Sequence, residues 1–202
     1  IQPNAGDAGG ALGAALYVHH RVNADAPIQA LPHLYWGPAY SDEQIAKVLA
    51  ERKLTATFES DIAATVAGLL AKDKIVGWFQ GRMEAGPRAL GGRSILMSPM
   101  RAENKDIINA RVKFREEYRP LAPSILDEYG PEYFENYQQS LYMERTLVIR
   151  EEVRSRIPAV VHVDGSARVQ TVDRRQDPRF WNLIRVFEQQ TGIPLVLNTS
   201  FN

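Results

Sequence analysis

Apolar and polar positions alternate along this chain at two periods, and the periods mark its elements. Ile62, Val66, Leu69 and Leu70 recur three and four residues apart, which predicts a helix that starts at Ser60 or Asp61 and runs through Lys72. Ser41 precedes a second helical pattern over Asp42–Glu51, with Glu43 and Gln44 near the capping-box position. The pattern predicts a third helix over Asp177–Thr191, with Pro178 in its first turn and Gly192 just past its end. Asn104–Lys113 and Pro131–Tyr137 read as further helices. Gly6–His20 (GDAGGALGAALYVHH) reads as a tightly packed helix entered through a Gly-rich turn, with His19 and His20 at the end where a cation is favoured.

Short apolar or alternating runs predict strands. They fall at Leu54–Phe58, Ile75–Phe79, Ser94–Met97, Thr146–Ile149, Ala159–Val163, Arg168–Val172 and Leu195–Leu197. Pro120–Leu126 is held extended at its start by prolines. Residues 21–39 carry Pro27, Pro32 and Pro38 and read as a linker. Helices and strands interleave with short connections, which predicts an α/β domain with a mixed sheet.

Composition narrows the function classes. Lys plus Arg and Asp plus Glu each number 24, so the net charge is zero. That speaks against a dedicated nucleic-acid binder, although it leaves room for a local basic pocket. The chain has no cysteine, which rules out disulfides, thiol catalysis and Cys-ligated metals, and a cytoplasmic setting fits. No apolar run is long enough for a membrane helix. The start, Ile1-Gln2-Pro3-Asn4, is not a signal peptide and reads as internal to a longer protein.

Four stretches carry candidate chemistry. In Gly81–Ser94, Arg82, Arg88 and Arg93 stand among four glycines and a proline. Such glycines let backbone approach an anion, and the arginines supply bidentate donors; solvated arginines on a surface loop are the alternative. No Walker loop is present. In Asn109–Pro120, Lys113 and Arg119 lie toward a helix end and the loop after it, where Glu116 and Glu117 offer ordinary pairing partners. In His162–Val172, Asp164-Gly165 signals a turn between strands. Arg168 and Gln170 then share one strand face, which is either solvated or turned inward toward a ligand or each other. Asn198–Asn202 is a polar run directly after an apolar strand, where α/β sheets commonly place ligands. The histidines at 19, 20, 33 and 162 form no metal-binding spacing.

Taken together, GWFQGRMEAGPRALGGRSIL, INARVKFREEYRPLAPSIL, HVDGSARVQTV and TGIPLVLNTSFN resemble the O-carbamoyltransferases of antibiotic biosynthesis and nodulation-factor decoration. The resemblance covers roughly residues 35–202. It implies that 35–202 is a YrdC-like domain, a mixed twisted sheet with flanking helices, and that 1–34 is the helical end and linker of a metal-binding, ATPase-like domain. The YrdC-like domain of such enzymes joins carbamoyl phosphate to ATP, giving carbamoyladenylate, and the first domain passes the carbamoyl group to a hydroxyl acceptor.

By that resemblance Lys113, Arg119 and Arg168 are the catalytic residues. Together with Arg82, Arg88, Arg93, Ser200 and Asn202 they line the pocket for substrate and nucleotide. Ser200 acts as a hydrogen-bond donor and not as a nucleophile. Mg²⁺ accompanies ATP. Asp7 corresponds to a ligand of the divalent metal, iron among the candidates, held by the first domain. The partners implied are carbamoyl phosphate, ATP, a hydroxyl-bearing small molecule or oligosaccharide, and the first domain itself, with neither membrane nor nucleic acid.

Three departures stand out. The paired-His metal motif of the family's first domain is missing, the family continues past Asn202, and Ala85 stands where a bulky aromatic is common. YrdC relatives that bind RNA or nucleotide without catalysis are the alternative class, and a catalytically silent scaffold is a third.

Overall fold

A computed structural model describes residues 9–28 and 31–201. At its centre is a six-stranded mixed sheet. In chain order the strands are β1 (Val76–Phe79), β2 (Arg93–Met97), β3 (Ala122–Leu126), β4 (Arg145–Val148), β5 (Ser166–Val172) and β6 (Leu195–Thr199). Across the sheet they run β1-β2-β6-β3-β5-β4. Every neighbouring pair is antiparallel except β3 and β5, which are parallel, with Ser124 opposite Gln170. β3 is buried at all five positions, as expected of a strand covered on both faces.

The helices are α1 (Gly10–Val22), α2 (Asp42–Glu51), α3 (Ile62–Leu70), α4 (Glu103–Ile108), α5 (Gly130–Tyr133), α6 (Glu151–Arg154) and α7 (Pro178–Thr191). α7 is the main buttress. Phe180, Leu183, Ile184 and Phe187 recur at helical spacing and are fully buried against the sheet and α3. Each such side chain contributes about 1.5–3 kcal/mol by leaving water. Asp177 caps α7 by accepting a hydrogen bond from Phe180 N, and Gly192 ends it in the left-handed conformation, φ 74°. The expected Ser41–Gln44 capping box on α2 is present. A smaller apolar cluster of Leu34, Leu90, Ala122 and Met143 lies apart from the main core.

Several expectations are corrected. Leu54–Phe58 is not a strand: Leu54 and Phe58 are exposed, and the Leu54 N–H turns back to Leu49 O at the end of α2. Ala159–Val163 is not a strand either. Pro158 starts a short 3₁₀ turn, Pro158–Val160, and Val163 is exposed. The turn at Asp164-Gly165 therefore joins that segment to β5 and does not join two strands. The helix expected over Asn104–Lys113 is α4 followed by a wider π-helical turn at Asn109–Lys113. α1 forms, but it buries none of its residues against the described chain, so it is not tightly packed. No described helix is long and apolar enough to cross a membrane.

Candidate functional site

A cavity of about 700 Å³ opens where five chain segments converge at the end of β6. Its walls are Pro87–Ala89 of the Gly-rich turn, Lys113 with Arg115 and Tyr118–Ala122, then Met143 and Arg168, and finally Asn198–Ser200. Arg88, Lys113, Arg119, Arg168 and Ser200, named from four separate stretches of sequence, thus face one space.

Three buried polar side chains on neighbouring strands underlie it. Ser124 Oγ donates to Gln170 Oε1 at 2.6 Å, and Asn198 Nδ2 lies 2.8 Å from Ser124 Oγ. Gln170 Nε2 donates to Leu90 O at 2.8 Å, and Asn198 Nδ2 donates to Ala89 O at 3.0 Å. These bonds satisfy amides that would be costly to bury alone, and they fix the backbone of the Gly-rich turn over the strand ends. Gln170 is thus turned inward to meet protein groups. Asn198 Oδ1 has no partner.

The Gly-rich turn is organised from inside by Glu84, which is 2% exposed. Its carboxylate accepts from Leu90 N at 2.5 Å and from Arg93 N at 3.3 Å. Arg93 reaches back over it. Its guanidinium donates to Glu84 O at 2.7 Å and Gly86 O at 3.0 Å, and its Nε stands 3.4 Å from the carboxylate. A Cβ at Gly92 would lie 2.6 Å from Glu84 Oε2, so only glycine leaves room for this arrangement. Arg93 therefore shapes the turn, and it also lines a smaller cavity shared with Arg88, Ser200 and Phe201.

The opposite wall hangs on Asn109 in the π-helical turn. Its Oδ1 accepts from Arg115 Nε at 2.8 Å, and its Nδ2 donates to Arg119 O at 2.9 Å and Glu117 O at 3.3 Å. Lys113 Nζ donates to Ser200 O at 2.8 Å and lies 3.3 Å from Ser200 Oγ, tying this wall to the end of β6. Phe114, which ends the π turn, is left-handed at φ 46° and is 83% exposed. That conformation costs a residue with a bulky side chain about 1–2 kcal/mol, and burial of the ring does not offset it.

Positive charge dominates the cavity. Among the described residues lining it none carries a carboxylate. Glu116, outside the lining, accepts from Arg119 Nε at 2.7 Å and also acts on Arg115. Burial holds the Arg168 guanidinium below its usual range, at about 10, with Arg88 and then Arg115 adding repulsion. Its Nε has no hydrogen-bond partner, and its Nη2 lies 3.5 Å from the Met143 sulfur. Burial lowers Lys113 and Arg115 too, helped by Arg115 for the lysine and by Arg119 for the arginine. Five cations against the single carboxylate of Glu116 form a site prepared for an anion of high charge.

The remaining candidates fall elsewhere. Arg82 lies at a separate cavity with His33, Tyr35, Trp36 and Arg179, and donates to Trp36 O at 3.2 Å. Asn202 and Asp7 lie outside the described residues. Arg115 and Tyr118 line the cavity without having been singled out from sequence, and so does Asn198, which was noted only as the start of the polar run after β6. Arg115 was masked by the neighbouring glutamates, which suggested a paired surface. No group of three or more His, Asp or Glu suited to a metal ion occurs among the described residues.

Fold and site together define an α/β domain that presents a polyanion-sized cationic cavity at the end of its sheet strands. The chain belongs to the carbamoyltransferase C-terminus family, which matches residues 67–202. It is 46% identical over its whole length to nodulation protein NolO of Bradyrhizobium diazoefficiens, covering 38% of that protein. It is likewise 46% identical to nodulation protein NolNO of Sinorhizobium fredii, of which it covers 31%. Nodulation protein U of Rhizobium tropici is 39% identical, with 33% of its length covered. The chain thus spans roughly a third of the relatives it matches.

Proposed function

We propose that this chain is the YrdC-like, carbamoyladenylate-forming part of an ATP-dependent O-carbamoyltransferase. The single observation that carries the reading is the convergence of Arg88, Lys113, Arg115, Arg119 and Arg168 on one cavity whose described lining holds no carboxylate. Carbamoyl phosphate and ATP bring several phosphate charges together, and such a cavity offsets their repulsion. In the step proposed, water takes the phosphoryl group from carbamoyl phosphate and inorganic phosphate leaves. The carbamate oxygen then attacks the α-phosphorus of ATP, and pyrophosphate departs. The protein supplies position and charge, and no side chain forms a covalent bond.

Arg168, buried deepest of the five, is placed to meet the charge that develops between the reactants. Lys113 and Arg119 hold the phosphates from the opposite wall, and Ser200 hydrogen-bonds beside Lys113. Mg²⁺ fits this site only as part of the nucleotide, because the described lining residues offer it no carboxylate. A hydroxyl-bearing acceptor and a metal near Asp7 belong to the larger protein, in which residues 1–34 continue an ATPase-like domain.

The test is exchange of labelled pyrophosphate into ATP by the full-length protein. Exchange should require carbamoyl phosphate, and Arg168→Ala should lower it by about 10²–10³-fold, the usual effect of removing one charge-stabilising donor. Exchange that ignores carbamoyl phosphate, or survives the substitution, rejects the assignment. ATP binding without any exchange returns the chain to a nucleotide-binding module without catalysis.

A further inference from the structure

Beside the cationic cavity lies a second, of about 520 Å³, lined by Ala110, Phe114, Arg115, Glu116 and Arg119. Arg115 and Arg119 line both spaces, so the two adjoin at that pair of guanidiniums. The first holds the cations. The second holds an aromatic ring, and Phe114 presents it almost fully to solvent.

The position of this ring is specified by the fold. Phe114 takes the left-handed conformation at the end of the π-helical turn, its N–H bonded to Asn109 O. The next residue, Arg115, is fixed by its own N–H to the same carbonyl and by its side chain to Asn109 Oδ1. An exposed phenylalanine held in a strained backbone is costly twice over, and such cost gathers at ligand sites. A flat apolar surface one residue from a phosphate-directed arginine is the chemistry that single nucleotides and single strands use, with stacked base and paired phosphate side by side.

We propose that Phe114 is the platform on which the base of a nucleoside triphosphate stacks while its phosphates enter the cationic cavity. The inference rests on the nucleotide reading given above and adds the residue that meets the base. Stacking on one face is tolerant of base identity, so ATP and GTP should both gain from Phe114, whereas inorganic tripolyphosphate should not.

The experiment is calorimetric titration of the full-length protein with ATP·Mg and, separately, with tripolyphosphate·Mg. Phe114→Ala should weaken ATP about ten- to a hundred-fold and leave tripolyphosphate unchanged. Phe114→Trp should restore ATP affinity, and its indole emission should be quenched on binding. Because Phe114 is exposed, its removal should leave the melting temperature in place. An ATP affinity unchanged by Phe114→Ala, an equal loss for tripolyphosphate, or the loss appearing in Tyr118→Ala instead overturns the inference while leaving the cavity's assignment standing. A wild-type protein that binds neither ligand overturns the nucleotide reading and the inference with it.

Discussion

The two walls of the cavity are built on opposite plans. The Gly-rich turn closes around a buried carboxylate, with Glu84 at its centre and Arg93 turned inward upon it. The loop from Lys113 to Pro120 closes around a neutral amide, with Asn109 at its centre and its arginines turned into the cavity or toward solvent. The same residue type therefore serves different ends. Arg93 is consumed by its own turn, whereas Arg115 is held by an uncharged oxygen, and the Glu116 carboxylate, itself bonded to Arg119, is outweighed by burial and by the Arg119 charge. An anion site needs both: one wall stiff enough to define a shape, the other with charge to spare.

If that contrast holds, the largest effect should come from Glu84→Ala. It leaves the backbone N–H groups of Leu90 and Arg93 without their acceptor, and two such buried donors left unsatisfied cost about 2–6 kcal/mol. Urea denaturation should show the loss, and a change under 1 kcal/mol would mean the turn is not organised by this carboxylate. Asn109→Ala should cost less, about 1–3 kcal/mol, because two carbonyls and one guanidinium can find water. Its distinguishing sign is a marked loss of tripolyphosphate affinity, since the arginines lose their aim. Normal affinity in that variant would break the comparison.

The smallest effect sharpens it further. Arg168→Met should stabilise the ligand-free protein by about 1 kcal/mol, allowing for partial solvent screening of the buried charge. The sign has a pH counterpart. Arg168 is held below its unfolded value, so the folded state sheds its proton first. Its destabilising contribution is complete below about pH 10 and is relieved progressively as pH rises from there toward the higher unfolded value. Thermal melts of the ligand-free protein should therefore show the gain from Arg168→Met shrinking as pH rises above about 10, and a gain that does not shrink contradicts the shift.

Much of this architecture was legible in the sequence where one local rule sufficed. The caps of α2, α3 and α7 could be read from Ser41, Asp61, Asp177 and Gly192 because capping is decided within four residues. Strands need partners, and those are set elsewhere. Leu54–Phe58 alternates like a strand and finds no edge, while Val160 is buried without being in the sheet. In the site, residues chosen by motif converge at Arg88, Lys113, Arg119, Arg168 and Ser200, yet Arg82 lies at another cavity. Arg115 was hidden because the sequence places glutamates beside it, and only the fold shows that Asn109 holds its guanidinium at the cavity while Glu116 bonds Arg119.

The strand order carries a consequence for how this domain comes into being. β6 is the last of the six strands to be synthesised, yet it sits between β2 and β3. A nascent chain that stops short of Leu195 has two half-sheets with bare inner edges and no floor for the cation cluster. The ribosome must therefore release most of the domain before its centre can close, and in that interval the open edges of β2 and β3 are where a chaperone would have to stand guard.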